Sequence, residues 1–338
     1  MERHTDDQER ALESAPATDG IELMPPIPPT SARRGGRLAQ ADCYPAGEER
    51  VAAHFVRLPT GERVRVLSSG DRAAPPVVLV HGWACSAYSW RYQLPVLAEA
   101  GFQAIAMDLR GHGFSDRPTA DSDYSTSAMT DFLTLVLDTL QLEQVAMVGH
   151  SLGAAIAART ALRSPGRVSR LATLSGIGFG RAPMVAALSR IPDAVVTPLL
   201  PLATSRALFR LVLRLVSGGP GRFTARDVDE YWAPTQFPEF IPTLWRLLRV
   251  HGWAQLDDYE RARLTLPILA MYGGRDRLVR EPDSGSAAGA AWPAAHTLIG
   301  VGHAGHEEAP ELVNALLLPF LAPWWMEFDA GRASAAGG

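Results

Sequence analysis

One pentapeptide constrains this chain more than any other: Gly149-His150-Ser151-Leu152-Gly153. It comes directly after Val145–Val148, an apolar run of the kind seen in strands buried on both faces, and it opens the helical stretch Leu152–Ser164. A strand that becomes a helix within so few residues forces its central residue into strained backbone angles. It also brings strand and helix so close that side chains between them must be absent, and Gly149, Gly153, Ala154 and Ala155 supply that room. The helix N-terminus then points free N–H groups at any oxyanion forming beside Ser151. In a chain with 30 glycines a Gly-x-Ser-x-Gly pattern alone carries little weight. Its place between a strand and a helix makes Ser151 a candidate nucleophile.

The surrounding pattern alternates strands and helices from residue 50 onward. Ala52–Leu58 and Arg63–Ser69 predict a hairpin turned at Pro59-Thr60-Gly61, and Pro76–Val80, Phe102–Met107, Val168–Leu174 and Pro267–Tyr272 predict buried strands. Tyr88–Ala98, Ser127–Leu140 and Glu308–Leu321 carry helical spacing. Such alternation predicts an α/β fold with a mostly parallel central sheet flanked by helices. Roughly ninety residues separate Leu174 from Pro267, far more than a crossover needs. They are punctuated by prolines and read as helices over Met184–Arg190, Ser205–Val216, Ala225–Trp232 and Pro242–His251. The expected organisation is a core of 50–178 and 264–325, with a helical cap, 179–263, inserted after the sixth strand. A disordered N-terminal extension, 1–49, and a flexible C-terminal tail, 326–338, complete it.

The extension holds Met24-Pro25-Pro26-Ile27-Pro28-Pro29 and Arg33-Arg34-Gly35-Gly36 but no apolar run that would make a secretory signal. No stretch is long enough for stable membrane insertion, so a cytoplasmic protein is expected, with Cys43 and Cys85 reduced. Hydrophobic residues at 47% and charged residues at 20% exclude a wholly disordered chain. A net charge of −4 leaves no basic excess to drive nucleic-acid binding. All 32 basic residues are arginine, a bias of the kind a high-GC bacterial genome imposes.

A serine hydroxyl is a poor nucleophile at neutral pH and needs a base, which in turn needs an orienting group. His303, in Val301-Gly302-His303-Ala304-Gly305-His306, follows the last predicted strand and is the expected base, with His306 its competitor. Asp276, in Gly273-Gly274-Arg275-Asp276-Arg277, comes directly after the strand ending at Tyr272 and is the expected orienter, with Asp108 its rival. Ser151, Asp276 and His303 thus stand in the chain order Ser, Asp, His.

With His81-Gly82-Trp83, Asp108–Asp116, Gly149–Gly153, Gly273–Val279 and Gly302–Pro310 in order over residues 50–325, the chain resembles a capped α/β-hydrolase-fold protein. The resemblance implies an oxyanion hole made by the backbone N–H groups of Trp83 and Leu152; for Leu152 the helix terminus argues the same. Epoxide hydrolases and haloalkane dehalogenases of this family carry Asp as nucleophile where this chain has Ser151. Carbon–carbon hydrolases keep the serine and typically follow the elbow with Gly-Gly, where Gly153-Ala154 stands here. Cofactor-free perhydrolases share the triad and often have Pro after His-Gly-Trp, where Ala84 stands here. The expected activity is hydrolysis of a carboxylic ester or related acyl compound with a small apolar acyl group. Carbon–carbon or perhydrolytic chemistry, and a non-catalytic binder with a lidded cavity, stand as alternatives. No metal-ligand spacing and no dinucleotide fingerprint occurs, so neither metal nor cofactor is expected.

In the cap, Arg206, Arg210 and Arg214 form an i, i+4, i+8 stripe, expected at a solvated edge, with a membrane-surface face or an anionic-substrate clamp as alternatives. Trp232, Phe237, Phe240 and Trp245 are candidate pocket aromatics, with simple packing the plainer expectation. Cys85 lacks a neighbouring His–Asp arrangement and is expected to pack beside the Trp83 loop.

Overall fold

The computed structural model describes residues 23–24, 43–219, 223–281 and 295–336. Its strands are β1 (Leu23–Met24), β2 (Ala52–Arg57), β3 (Arg63–Ser69), β4 (Pro76–Val80), β5 (Gln103–Met107), β6 (Val145–His150), β7 (Val168–Leu174), β8 (Ile268–Gly273) and β9 (Ala295–Leu298). They form one sheet in the order β1-β2-β3-β5-β4-β6-β7-β8-β9. The β1–β2, β2–β3 and β3–β5 pairs are antiparallel, and every pair from β5–β4 to β8–β9 is parallel. The expected hairpin has Ala52 opposite Ser68 and Arg57 opposite Arg63.

The central strands β4, β5 and β6 are buried at every position, and mostly apolar, because both faces of the sheet are covered. Val78 and Val80 of β4, with Met147 of β6, face a layer built on Phe132, Leu133 and Ile156. Val77 and Leu79, with Val148, face the opposite layer, where Leu94, Leu97 and Leu317 pack. The first layer is carried by α2 (Thr126–Thr139) and α3 (Leu152–Arg163), the second by α1 (Gln93–Glu99) and the closing helix. Helix α2 begins at Ser125, whose side chain accepts the N–H of Ala128 and satisfies one of the four unpaired donors of the first turn.

Between β7 and β8 the chain leaves the sheet and builds α4 (Pro183–Leu188), α5 (Asp193–Val196), a 3₁₀ stretch (Thr197–Thr204), α6 (Arg206–Val216), α7 (Ala225–Trp232), α8 (Phe240–Val250) and α9 (Asp258–Arg263). Capping boxes at Thr224/Asp227 and Asp257/Glu260 start α7 and α9. The chain ends in α10 (Gly305–Glu308) and α11 (Pro310–Ala336).

Two boundaries differ from expectation. Helix α11 does not give way to a tail at 326 but runs on to Ala336, although Pro319 and Pro323 lie inside it. Each proline removes one intrahelical bond, but packing carries the helix through. Trp324 is buried, its indole N–H donates to the Pro76 carbonyl, and Phe328 meets its ring edge-on. Glu327 pairs with Arg170. At the other end, the expected extension to residue 49 stops short. Cys43 and Tyr44 are buried, and β1 pairs with β2; the rest of residues 1–42 lie outside the described residues. The Tyr44 ring meets Tyr88 edge-on at 5.6 Å, and its N–H donates to Glu230 of α7 at 2.7 Å. Tyr44 therefore ties the N-terminal segment to both core and cap. Replacing Tyr44 with Ala is expected to lower unfolding free energy by about 3 kcal/mol, measured by urea denaturation; a change under about 0.5 kcal/mol contradicts this packing role.

Candidate active site

The site starts from a steric demand. Ser151 joins β6 to α3 with φ 52° and ψ −115°, a conformation costing on the order of 1–3 kcal/mol that only over-determined surroundings sustain. Its N–H donates to the Leu174 carbonyl, and its carbonyl accepts from Ala154 and Ile177. Helix and strand are so close that a Cβ on Gly153 would lie 2.1 Å from the Val80 carbonyl oxygen. Both neighbours of Ser151 are thereby held, and its side chain lines a cavity under the cap.

His303 lies on the loop between β9 and α10, and its Nδ1 is 2.8 Å from Oδ2 of Asp276 on the loop after β8. The other carboxylate oxygen of Asp276 accepts the N–H groups of Leu278 and Val279, and Ser175 adds a side-chain hydrogen bond. Burial pushes the Asp276 carboxyl up, but His303 and these hydrogen bonds outweigh it and hold the group below the ordinary aspartate value. An ionised Asp276 places the imidazole proton on Nδ1, and His303 lines the same cavity as Ser151. The rivals have other partners. Asp108 is buried, accepts the N–H groups of Ala87 and Phe114, and pairs with Arg65. His306 is buried against the Trp90 ring at 4.3 Å and the His150 ring at 4.5 Å.

The loop carrying Trp83 follows β4. His81 fixes it through a neutral ring, with Nδ1–H donating to the Gly82 carbonyl and Nε2 accepting the N–H of Leu109. Burial pushes the His81 pKa down to about 4, which keeps that tautomer neutral. The Trp83 indole donates to the Leu244 carbonyl in α8 and its ring lines the cavity. Leu152 is the first residue of α3, where an N–H has no intrahelical acceptor.

The cavity measures about 140 Å³ and is mostly apolar. Its cap wall comes from Val185 of α4, from Phe209, Leu213 and Val216 of α6, and from Phe223 and Trp253. The aromatics singled out from the sequence are elsewhere. Trp232 is buried and donates to Thr204, Phe237 packs on Phe114, Phe240 is buried in a separate cluster and Trp245 bonds Asp193. The arginine stripe also misses the cavity: Arg206 pairs with Asp229, while Arg210 and Arg214 border a separate surface groove. Cys85 lines the cavity, but burial and the nearby Glu307 push its thiol up, so it stays protonated.

Two acids in the Gly302–Pro310 segment have roles that sequence reading missed. Glu307 reaches the cavity wall, where the Tyr231 hydroxyl donates to it at 2.8 Å and Arg91 pairs with it. Arg91 also pairs with Asp227 of α7 at 2.8 Å. Glu308 accepts the N–H groups of Gly302 and Ala304, on either side of His303, and that of Gly218, just past α6. The two glutamates were visible as letters; Arg91, Tyr231 and Gly218, their partners far away in the chain, were not.

A family model described as the alpha/beta hydrolase fold matches residues 75–310, and the chain belongs to that family. Epoxide hydrolase A of Mycobacterium tuberculosis is 41% identical over 122 residues, 36% of this chain and 38% of that enzyme. An AB hydrolase superfamily protein of Bacillus subtilis is 27% identical over 284 residues, covering 79% of this chain and 98% of that protein. The solved epoxide hydrolase CorEH matches with a TM-score of 0.69 at 25% identity, over 81% of this chain and 99% of that one. The chain spans between 28 and 41% of the length of the first curated relatives it matches.

Burial depresses the pKa of His81 to about 4, of His112 to about 3 and of His251 to about 4, and holds His150 and His306 well below the ordinary value. An unfolded chain takes up protons at these rings once the pH drops below about 6.5, whereas the folded chain does not until far lower. The stability they contribute is therefore complete above that pH and is lost as pH falls, at up to ~1.4 kcal/mol per pH unit for each ring. Urea midpoints measured from pH 7 down to pH 5 are expected to fall steadily; a flat profile contradicts neutral burial.

Proposed function

We propose that the protein is a serine hydrolase that cleaves a carboxylic ester or related acyl compound through an acyl-enzyme. Nε2 of His303 takes the proton from the Ser151 hydroxyl as its oxygen attacks the carbonyl. Asp276 holds the imidazole in the required tautomer and stabilises the imidazolium that forms. The backbone N–H groups of Trp83 and Leu152 hold the developing oxyanion. His303 then returns the proton to the leaving group, and a water activated by the same ring hydrolyses the acyl-enzyme.

The observation that carries this reading is a serine at the strained elbow, sharing its cavity with a hydrogen-bonded His303–Asp276 pair. The relatives' names include epoxide hydrolases and a haloalkane dehalogenase. A serine oxygen that opened an epoxide or displaced a halide would be left as an ether, which has no carbonyl for water to attack. Turnover at Ser151 therefore asks for an acyl group, because an ester of serine can be hydrolysed and an ether of serine cannot. The apolar lining favours a small uncharged acyl chain. The only carboxylate on the described wall, Glu307, is already occupied by Tyr231 and Arg91.

A fluorophosphonate probe is expected to label the wild type and to leave Ser151→Ala unlabelled. On an activated ester, Ser151→Ala and His303→Ala are each expected to lower kcat by about 10⁴-fold or more, while His306→Ala changes it only a few-fold. Absence of labelling in the wild type points to the non-catalytic binder, and a crippling His306→Ala moves the base to that ring. Across p-nitrophenyl esters of growing acyl length, kcat/KM is expected to rise by at most about tenfold for every two methylenes and then fall once the cavity is full. A flat profile contradicts an apolar acyl site.

A further inference from the structure

Nine strongly exposed large apolar side chains lie between residues 184 and 215, in α4, α5, the 3₁₀ stretch and α6. Leu199 is 55% exposed, Leu202 69%, Leu211 51% and Leu215 54%. Such a concentration within one short stretch of the chain marks an interaction surface rather than scattered surface leucines. Helix α6 shows how the face is built. Phe209, Leu213 and Val216 point inward to the cavity, whereas Leu208, Leu211 and Leu215 lie on a second face turned to solvent. Arg210 and Arg214 border that outer face, are exposed, and pair with no carboxylate among the described residues. An apolar row edged by arginines along one helix is the pattern of a helix lying flat in a membrane interface.

Charge distribution selects the occupant. Residues 181–219 hold five arginines and one aspartate, a net +4 in a chain whose total is −4. The aspartate, Asp193, already pairs with Arg249. A second copy of the chain docked by the same face about a twofold axis would set these arginines against one another. We infer that the outer face of α4–α6 docks peripherally on an anionic lipid surface, leucines among the acyl chains and arginines among the headgroups. Docking is superficial: among the described residues no helix is long and apolar enough to cross a membrane. Val212 belongs to the exposed face and to the cavity wall alike, so the docked face adjoins the site. An apolar ester dissolved in the bilayer then passes to Ser151 without crossing water. That last consequence rests on the esterase reading; the docking itself is read without turnover, so the two fail separately.

The test is flotation of the full-length protein with vesicles of phosphatidylcholine alone or mixed with phosphatidylglycerol. Flotation is expected with the mixed vesicles and is expected to weaken several-fold at high salt. Leu211→Ser combined with Leu215→Ser is expected to lower partitioning by at least about tenfold. Arg210→Glu combined with Arg214→Glu is expected to do the same on the mixed vesicles only. Neither pair lines the cavity, so fluorophosphonate labelling and melting temperature report that the variants remain folded. The inference is overturned if the wild type floats with neither vesicle, if it floats equally with both, or if the serine pair floats like the wild type. It is equally overturned if the serine pair converts a dimer in solution to a monomer, which would give the face to a second copy.

Discussion

The close approach of α3 to β4 is the constraint on which the rest of this structure depends. With no side chain at Gly153, the first turn of α3 seats against the Val80 carbonyl, and Ser151 is left at positive φ between two elements that cannot shift independently. The strain there is small beside the burial around it: β4 and β6 are apolar on both faces, and α3 buries Ile156 and a row of alanines against them. Small side chains along α3 are what let the helix lie so near the sheet. The position of Ser151 is thus a packing consequence, held by contacts that would be costly to remove.

The other half of the site is held by hydrogen bonds as well as by packing. The His303 loop buries Val301 in the core, and its backbone is fastened on both sides by the Glu308 carboxylate and by the bond from the His303 N–H to the Val216 carbonyl. Gly302 permits this, since a Cβ there would strike the backbone around Gly218. Arg275, beside Asp276, donates to the Gly218 carbonyl as well. The end of α6 is therefore joined to both loops that supply the His–Asp pair. The end of α6 and the loops carrying Asp276 and His303 form one hydrogen-bonded unit at this point.

What was legible in the sequence was local. The strands were readable because continuous apolar runs need two covered faces, and the places of Ser151 and Asp276 were readable because each comes shortly after such a run; His303 had only its glycine-flanked motif, since β9 before it is partly exposed and carries no such run. Contacts between distant segments left no such mark. Tyr44 read as part of a polar extension because its partner Glu230 lies 186 residues away. The closing helix was read only as far as Leu321, because the burial of Trp324 that carries α11 onward depends on tertiary packing that no local propensity encodes. In the cap, helical spacing located α6 but not which of its apolar residues face inward, since Leu208 and Phe209 are equally apolar and only the fold assigns one to solvent and the other to the cavity.

The cap is fastened unequally along its length. Arg91, from the core, holds Asp227 of α7 and Glu307 together, while Tyr88 and Tyr231 donate their hydroxyls to the same two carboxylates. One guanidinium between two buried carboxylates is tolerated because Tyr231 also reaches the remaining oxygen of Glu307 and Thr224 donates to that of Asp227, and breaking the knot would strand a buried charge. With α7 held there and the end of α6 held by Glu308, the part of the cap over His303 is the part tied to the core. Helices α4, α5 and α6 bury none of their residues. Elements with so little buried surface are those whose local opening costs the least free energy. The exposed apolar face is therefore built on the elements that burial holds least, and the hydrogen bonds past the end of α6 supply what burial does not.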